Sequence, residues 1–138
     1  MIYAVIDTNV IVASLLTRNH DSATARVMDA VYSRRITPLV NDAILAEYSD
    51  VLFRPHLKLD SSKCEFIVSL MTDIGLHLAP VQSNAPMPDE ADRVFYEVAL
   101  AGPEGATKLV TGNLRHYPVE PIVVTPAQMI AILEADNL

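Results

Sequence analysis

Four residues spread along the chain could share one piece of chemistry: Asp7, Glu47, Asp92 and Asn113. Asp7 follows an uninterrupted apolar run, Ile2–Ile6, and so stands at the mouth of what reads as a buried strand. A carboxylate there is partly desolvated and needs a cation or hydrogen-bond donors. As a helix cap it would compete with Thr8 and Asn9, which could serve equally well. Glu47 lies on the margin of an apolar stripe formed by Ile44, Leu45, Tyr48, Val51 and Leu52. Alone, it could as well be a half-buried surface glutamate. Asp92 shares a helical face with Phe95 and Ala99. By itself it could simply answer the positive end of a helix. Asn113 follows Leu109-Val110-Thr111-Gly112 and offers a carboxamide where Asp7 offers a carboxylate; alone it reads as a turn residue. Gathered at one cleft, these acids could not all ionise comfortably without a cation. An all-oxygen donor set favours hard Mg²⁺ or Mn²⁺, ions that keep water and bind substrate phosphates.

The elements that would have to position these groups alternate between short apolar runs and longer amphipathic ones. Ile2–Ile6 and Ile36–Val40 read as buried strands, with further strands over 76–81, 108–111 and 121–124. Helices are expected from Asn9 to Leu16, from a Ser22 cap to about Arg34, and from Asn41 or Asp42 to about Phe53, where Arg54-Pro55 stops the last of these. Asp60 starts another, and Gly75 ends it by tolerating left-handed geometry. A helix over 90–101 follows a loop at 83–90 that contains Pro86 and Pro88, and Thr125-Pro126 opens a last helix. Strands alternating with helices predict a single α/β domain over 1–138 with a mainly parallel five-stranded sheet between helical layers. Sites in such sheets gather at the carboxyl ends of the strands, where Asp7 and Asn113 fall.

Composition bounds the function. The 138 residues carry 17 acids and 10 bases, for a net charge of −7, which argues against a general nucleic-acid binder. The halves differ, however. Residues 1–63 are neutral overall, so the whole excess lies in 64–138, where Asp89, Glu90 and Asp92 cluster. If those acids hold a cation, the negative balance no longer excludes a nucleic acid. Cys64 is the lone cysteine and shares helical spacing with Ile67, Val68 and Met71, as a buried structural thiol would. The opening residues lack a basic start, and no apolar run approaches the roughly 18 residues of a membrane span. A cytoplasmic, reduced setting is expected.

The ordered set resembles a known family. Val5-Ile6-Asp7-Thr8-Asn9-Val10 is similar to the opening motif of PIN-domain nucleases, and Glu47 in Leu45-Ala46-Glu47-Tyr48 resembles the family's second acid. Asp89-Glu90-Ala91-Asp92-Arg93-Val94-Phe95 is similar to the third motif, with Asp92 the matching acid; Leu109-Val110-Thr111-Gly112-Asn113 is similar to the fourth. The resemblance spans about residues 2 to 124, and the nearest branch is the VapC-like toxins of bacterial toxin–antitoxin pairs. It implies a five-stranded parallel sheet between helices and metal-dependent cutting of RNA. Asp7, Glu47 and Asp92 would hold Mg²⁺ or Mn²⁺, with Asp89 as a further candidate ligand and Asn113 completing the catalytic set. It also implies an antitoxin protein partner, whose arginine could enter the acidic cleft, and a homodimer. The chain departs from the pattern at the fourth position, often Asp, which is Asn113 here, and at a later position often held by Asp, which is His116.

RNA must be held by something other than carboxylates. Asn113 and the hydroxyls of Thr8 or Thr111 would orient water or metal ligands. Thr8, Asn9 and Thr111 are also candidate substrate contacts, and Arg18, Arg115 and His116 candidate phosphate contacts, with Arg18 and His20 expected near the Asp7 mouth. Other chemistries fit poorly. A phosphatase of the haloacid-dehalogenase type needs a second Asp two residues after the first, where this chain has Asn9. Neither a G-x-x-x-x-G-K-[ST] loop nor a G-x-S-x-G elbow occurs, and only four glycines are present. The rival of another class is a catalytically weak PIN-like binding module that works through protein or RNA partners. Asn113 motivates it.

Overall fold

Two apolar, β-branched runs make the centre of the sheet. In the computed structural model, which describes residues 1–136, β1 is Ile2–Ile6 and β2 is Ile36–Val40, both with the bounds expected. They are joined by β3 (Leu76–His77), β4 (Thr107–Val110) and β5 (Val123–Val124) in the order β3-β2-β1-β4-β5, every pairing parallel. The helices are α1 (Thr8–Leu16), α2 (Ala23–Tyr32), α3 (Asp42–Leu52), α4 (Ser61–Ile74), α5 (Arg93–Ala101) and α6 (Pro126–Asp136). The result is a three-layer α/β/α fold. α5 lies along β1, β2 and β4, and α2 packs on α6. Ala4, Val5 and Ile6 are fully buried, as befits a central parallel strand covered on both faces. Cys64 is buried too, as its spacing predicted.

The chain runs from β1 to β2 and β3 on one side of the sheet, then crosses to β4 and β5 on the other. The gap between the carboxyl ends of β1 and β4 is therefore the topological switch point. Caps fix the approach of the helices. Asn41 accepts from the Ile44 N–H at 2.9 Å, and Asp60 from the Ser62 N–H at 2.9 Å. At α6, Thr125 and Gln128 satisfy each other's backbone N–H groups reciprocally.

Several expectations need correction. The strand expected over 76–81 pairs only at Leu76 and His77, because β2 turns at Asn41 into α3 and leaves nothing beyond Leu78 to pair with. β5 is likewise two residues long. The helix expected over 90–101 is a 3₁₀ turn, Glu90–Asp92, followed by α5. Gly75 ends α4 with extended geometry, φ −68, not left-handed. Glycine is required there by crowding, since a Cβ would strike the Met71 carbonyl and come within 2.8 Å of the Val40 side chain.

Candidate active site

Asp7 leaves β1 at the switch point and is only 5% exposed. It is itself the N-cap of α1, with Oδ1 3.5 Å from the Asn9 N–H, so neither Thr8 nor Asn9 takes that position. Its other oxygen, Oδ2, accepts two short hydrogen bonds, from Thr111 Oγ1 at 2.9 Å and from the Tyr117 hydroxyl at 2.9 Å. Thr111 is fully buried just past β4 and also accepts from the Asn113 N–H at 3.0 Å. The end of β4 thus holds both Asp7 and the backbone of Asn113. A second tyrosine pins the strand itself: Tyr48, in α3, donates to the Ile6 carbonyl at 2.5 Å.

Glu47, also on α3, is half-buried and accepts from Thr8 Oγ1 at 2.6 Å. Thr8 is buried, so the first residue of α1 orients the acid of α3. Asn9 turns its Oδ1 to the Gly112 N–H at 3.0 Å, tying α1 to the loop after β4. A Cβ on Gly112 would lie 3.3 Å from that oxygen.

Asp92 closes the 3₁₀ turn that Asp89 caps at the Ala91 N–H. Its side chain is 15% exposed and faces His116, whose Nδ1 lies 3.3 Å from Oδ2. The approach is off the line of a hydrogen bond, so Asp92 Oδ2 is a buried oxygen without a hydrogen-bond partner. The other ring nitrogen of His116 contacts Asn113 Nδ2 at 2.9 Å. If the amide donates there, the ring proton sits on Nδ1 and faces Asp92.

The electrostatics of the cluster follow from this crowding. Burial, then the Asp7 charge, push Asp92 up to about 6; Asp89 and Glu47 add to the rise and His116 opposes it. Burial and the charges of Asp7, Asp92 and Glu47 hold the Tyr117 hydroxyl far above its ordinary value, so it remains a donor. Burial, Asp7 and Glu47 do the same to Tyr48. The three acids act on common neighbours, which makes them one cluster.

The structure thus brings Asp7, Glu47, Asp92, Thr8, Asn9, Thr111, Asn113 and His116 to one place. Arg115 is exposed in the short turn Leu114–His116 beside them, and Asp89 is exposed just before Asp92. Arg18 is not brought there. It lies beyond the C-terminal end of α1, whereas Asp7 caps the N-terminal end about 14 Å away along the axis. His20 lies at that far end as well, lining a cavity with residues of α2 and α4. Tyr117 and Tyr48 escaped the sequence reading. Tyr48 shares the apolar stripe of α3, and Tyr117 follows the Asn113 turn without periodic neighbours; the sequence signal is a phenol next to a candidate site residue, Glu47 for Tyr48 and His116 for Tyr117.

Among the described residues, no three His, Cys, Asp or Glu side chains stand close enough to hold one metal ion. Thr8 holds Glu47, while Thr111 and Tyr117 hold Asp7. The donor chemistry nevertheless fits a divalent cation. Burial first, and then the charges of Asp7, Asp89 and Glu47, raise Asp92, and its buried Oδ2 is left without a hydrogen bond.

Residues 3–115 match the family model for the PIN domain. The chain belongs to the PIN-domain family. PIN domains are in general nucleases that use divalent metals, and nucleic acid is the substrate this implies. No curated protein and no solved structure gives a significant match. The matched span of this PIN domain runs from β1 through the turn that holds Arg115, and so contains all four principal candidates. Among the described residues, no helix is long and apolar enough to cross a membrane.

Proposed function

We propose that this PIN domain is a Mg²⁺- or Mn²⁺-dependent endoribonuclease and the toxin of a toxin–antitoxin pair. The observation that carries the metal-dependent part is the buried, unpaired Asp92 Oδ2 beside two further acids. Asp7, Glu47 and Asp92 would hold the cation, with Asp89 close enough to add charge and Asn113 able to contribute an amide oxygen. When bound, such an ion favours deprotonation of water and neutralises charge developing on phosphate oxygens.

The chain's own residues do the positioning. Thr111 and Tyr117 saturate Asp7 Oδ2, leaving Oδ1 with only a long contact to the Asn9 N–H. Thr8 aims Glu47. Arg115, exposed beside Asn113, is placed to draw a phosphate toward the acids. Arg18 would meet only a part of the substrate far from them.

The RNA preference, the antitoxin and the homodimer rest on the resemblance to VapC-like toxins. An RNase assay with Mg²⁺ and with Mn²⁺ tests the enzymatic part. Wild-type protein should cleave only with metal, and Asp92→Asn should not cleave. Full metal-dependent activity in Asp92→Asn would remove Asp92 from the assignment. A second reading, a catalytically weak binding module, is favoured by Asn113, whose amide is engaged with His116. A Mn²⁺ titration by calorimetry separates the two, because the binding module would take up no metal at millimolar concentration.

A further inference from the structure

The acids that would hold a cation repel the flanking phosphates of a polynucleotide, so the rest of the substrate must be seated by neighbouring surface. Thr8 and Asn9 belong to the acidic site, and they also form one end of a second feature. This is a cavity of about 340 Å³ between α1 and the corner where α3 gives way to the 3₁₀ turn Pro55–Leu57. Its size falls at the lower end of the range for small-ligand sites, roughly 300–1,000 Å³. Val12, Leu16 and Leu57 give it an apolar wall, and Arg54 and His56 bring cationic or protonatable groups to its rim.

We propose that this cavity seats a nucleotide of single-stranded RNA adjacent to the phosphate held at the carboxylates. The inference rests on the endoribonuclease reading and adds the place where the strand lies. Three observations support this occupant. The cavity is lined at one end by Thr8 and Asn9, the residues that hold Glu47 and the loop after β4, so it borders the acidic site. Leu16 is 55% exposed on α1, an apolar surface suited to the face of a base. Arg54 and His56 complement phosphate, with Arg115 available on the other flank of the acids. Asn9 adds polarity at the junction. Its Oδ1 is committed to Gly112, so what it chiefly offers a ligand is the donors of its amide nitrogen.

The rim is also built to stay in place. Pro55 begins the turn, the Leu57 N–H bonds the Arg54 carbonyl at 3.1 Å, and Lys58 closes it in the left-handed region at φ 53. Arg54 now pairs with Asp50 at 2.8 Å, both side chains largely exposed. An exposed pair of this kind contributes little and can be exchanged for a phosphate contact.

The test measures binding of a short labelled single-stranded RNA by anisotropy in EDTA, so that no cleavage is needed. Wild type is compared with Arg54→Ala/His56→Ala and with Leu16→Glu, each checked for unchanged thermal unfolding. Leu16 is exposed, so its variant should fold. The expected result is affinity weakened about fivefold or more in each, with a shallower salt dependence in the Arg54→Ala/His56→Ala variant, by about 0.7 units of slope per lost phosphate contact. Affinities within twofold of wild type in both variants would overturn the inference, as would absence of RNA binding by the wild type. A changed oligomeric state with unchanged RNA affinity would assign the cavity to a protein interface and overturn it as well. The two readings fail separately. Wild-type binding that the cavity variants weaken, without metal-dependent cleavage, leaves the cavity standing and removes the nuclease; cleavage that they leave untouched does the reverse.

Discussion

The Tyr117 hydroxyl donates to Asp7 Oδ2 at 2.9 Å across 110 residues of sequence, and Thr111 donates to the same oxygen. One carboxylate oxygen is thereby fixed by two donors while the other is left with a long backbone contact. A hydrogen bond to a charged group contributes about 1.5–3 kcal/mol. Tyr117→Phe should lower unfolding stability by about 2 kcal/mol and weaken Mn²⁺ binding by about tenfold. Denaturant unfolding and calorimetry check the two effects, and unchanged Mn²⁺ affinity in a destabilised variant would confine Tyr117 to folding.

Asp92 is held at about 6, above the 3.8 of a free aspartate. Its folded form therefore favours the proton. The stability this group adds to the metal-free protein is fully present below about pH 4 and is lost as pH rises through about 6. Asp92→Asn should be more stable than wild type at about pH 8 in EDTA, with the advantage vanishing at about pH 4. Mn²⁺ should reverse the sign in the wild type, because the ion requires the carboxylate. At a hundredfold excess over Kd it should add about 2.7 kcal/mol at about pH 8, and markedly less at about pH 5. Thermal unfolding across pH checks this, and a gap between the two proteins that ignores pH would refute it.

Thr8 Oγ1 donates to Glu47 Oε2 at 2.6 Å, and Thr8 is buried. Thr8→Val keeps the shape and removes the donor. Groups that orient metal ligands contribute about 10- to 100-fold in affinity or activity. Metal-dependent RNA cleavage should fall by about tenfold or more, with α1 kept and unfolding stability lowered by no more than about 2 kcal/mol. Equal kcat and metal dependence in the variant would show that Glu47 needs no such support.

Asn113 offers the cluster no charge, and its amide contacts His116. Asn113→Asp restores an acid at that position. Cation affinity in oxygen sites follows ligand charge, so Mn²⁺ should bind about tenfold more tightly by calorimetry. Unchanged affinity would place residue 113 outside the metal's reach and strengthen the binding-module reading.

The central features were legible because they have local signatures. Ile2–Ile6 and Ile36–Val40 are apolar throughout, as strands covered on both faces must be, and their bounds came out as expected. Asp7 stood out as an acid at the end of a buried strand, and Asp92 as one aligned with Phe95 and Ala99, which are buried. What the sequence hid was set by distant partners. β3 is short because β2 ends at Val40, which nothing in residues 76–81 reveals. Gly75 answers to Met71 and Val40, not to its own dihedral preference. Arg18 follows the helix that begins at the site, and only the direction and length of that helix show that it ends elsewhere. Tyr117 reaches Asp7 only through the β1–β4 pairing.

That pairing also imposes an order on synthesis. β1 is made first, yet its neighbour β4 and the two donors to Asp7 come more than 100 residues later. A nascent chain can lay β2 beside β1 early, but it cannot fix the Asp7 carboxylate until Tyr117 has left the ribosome. Glu47 and even Asp92 are made before that moment. For a protein that would cut RNA, this puts the last support of the site's first acid near the end of synthesis.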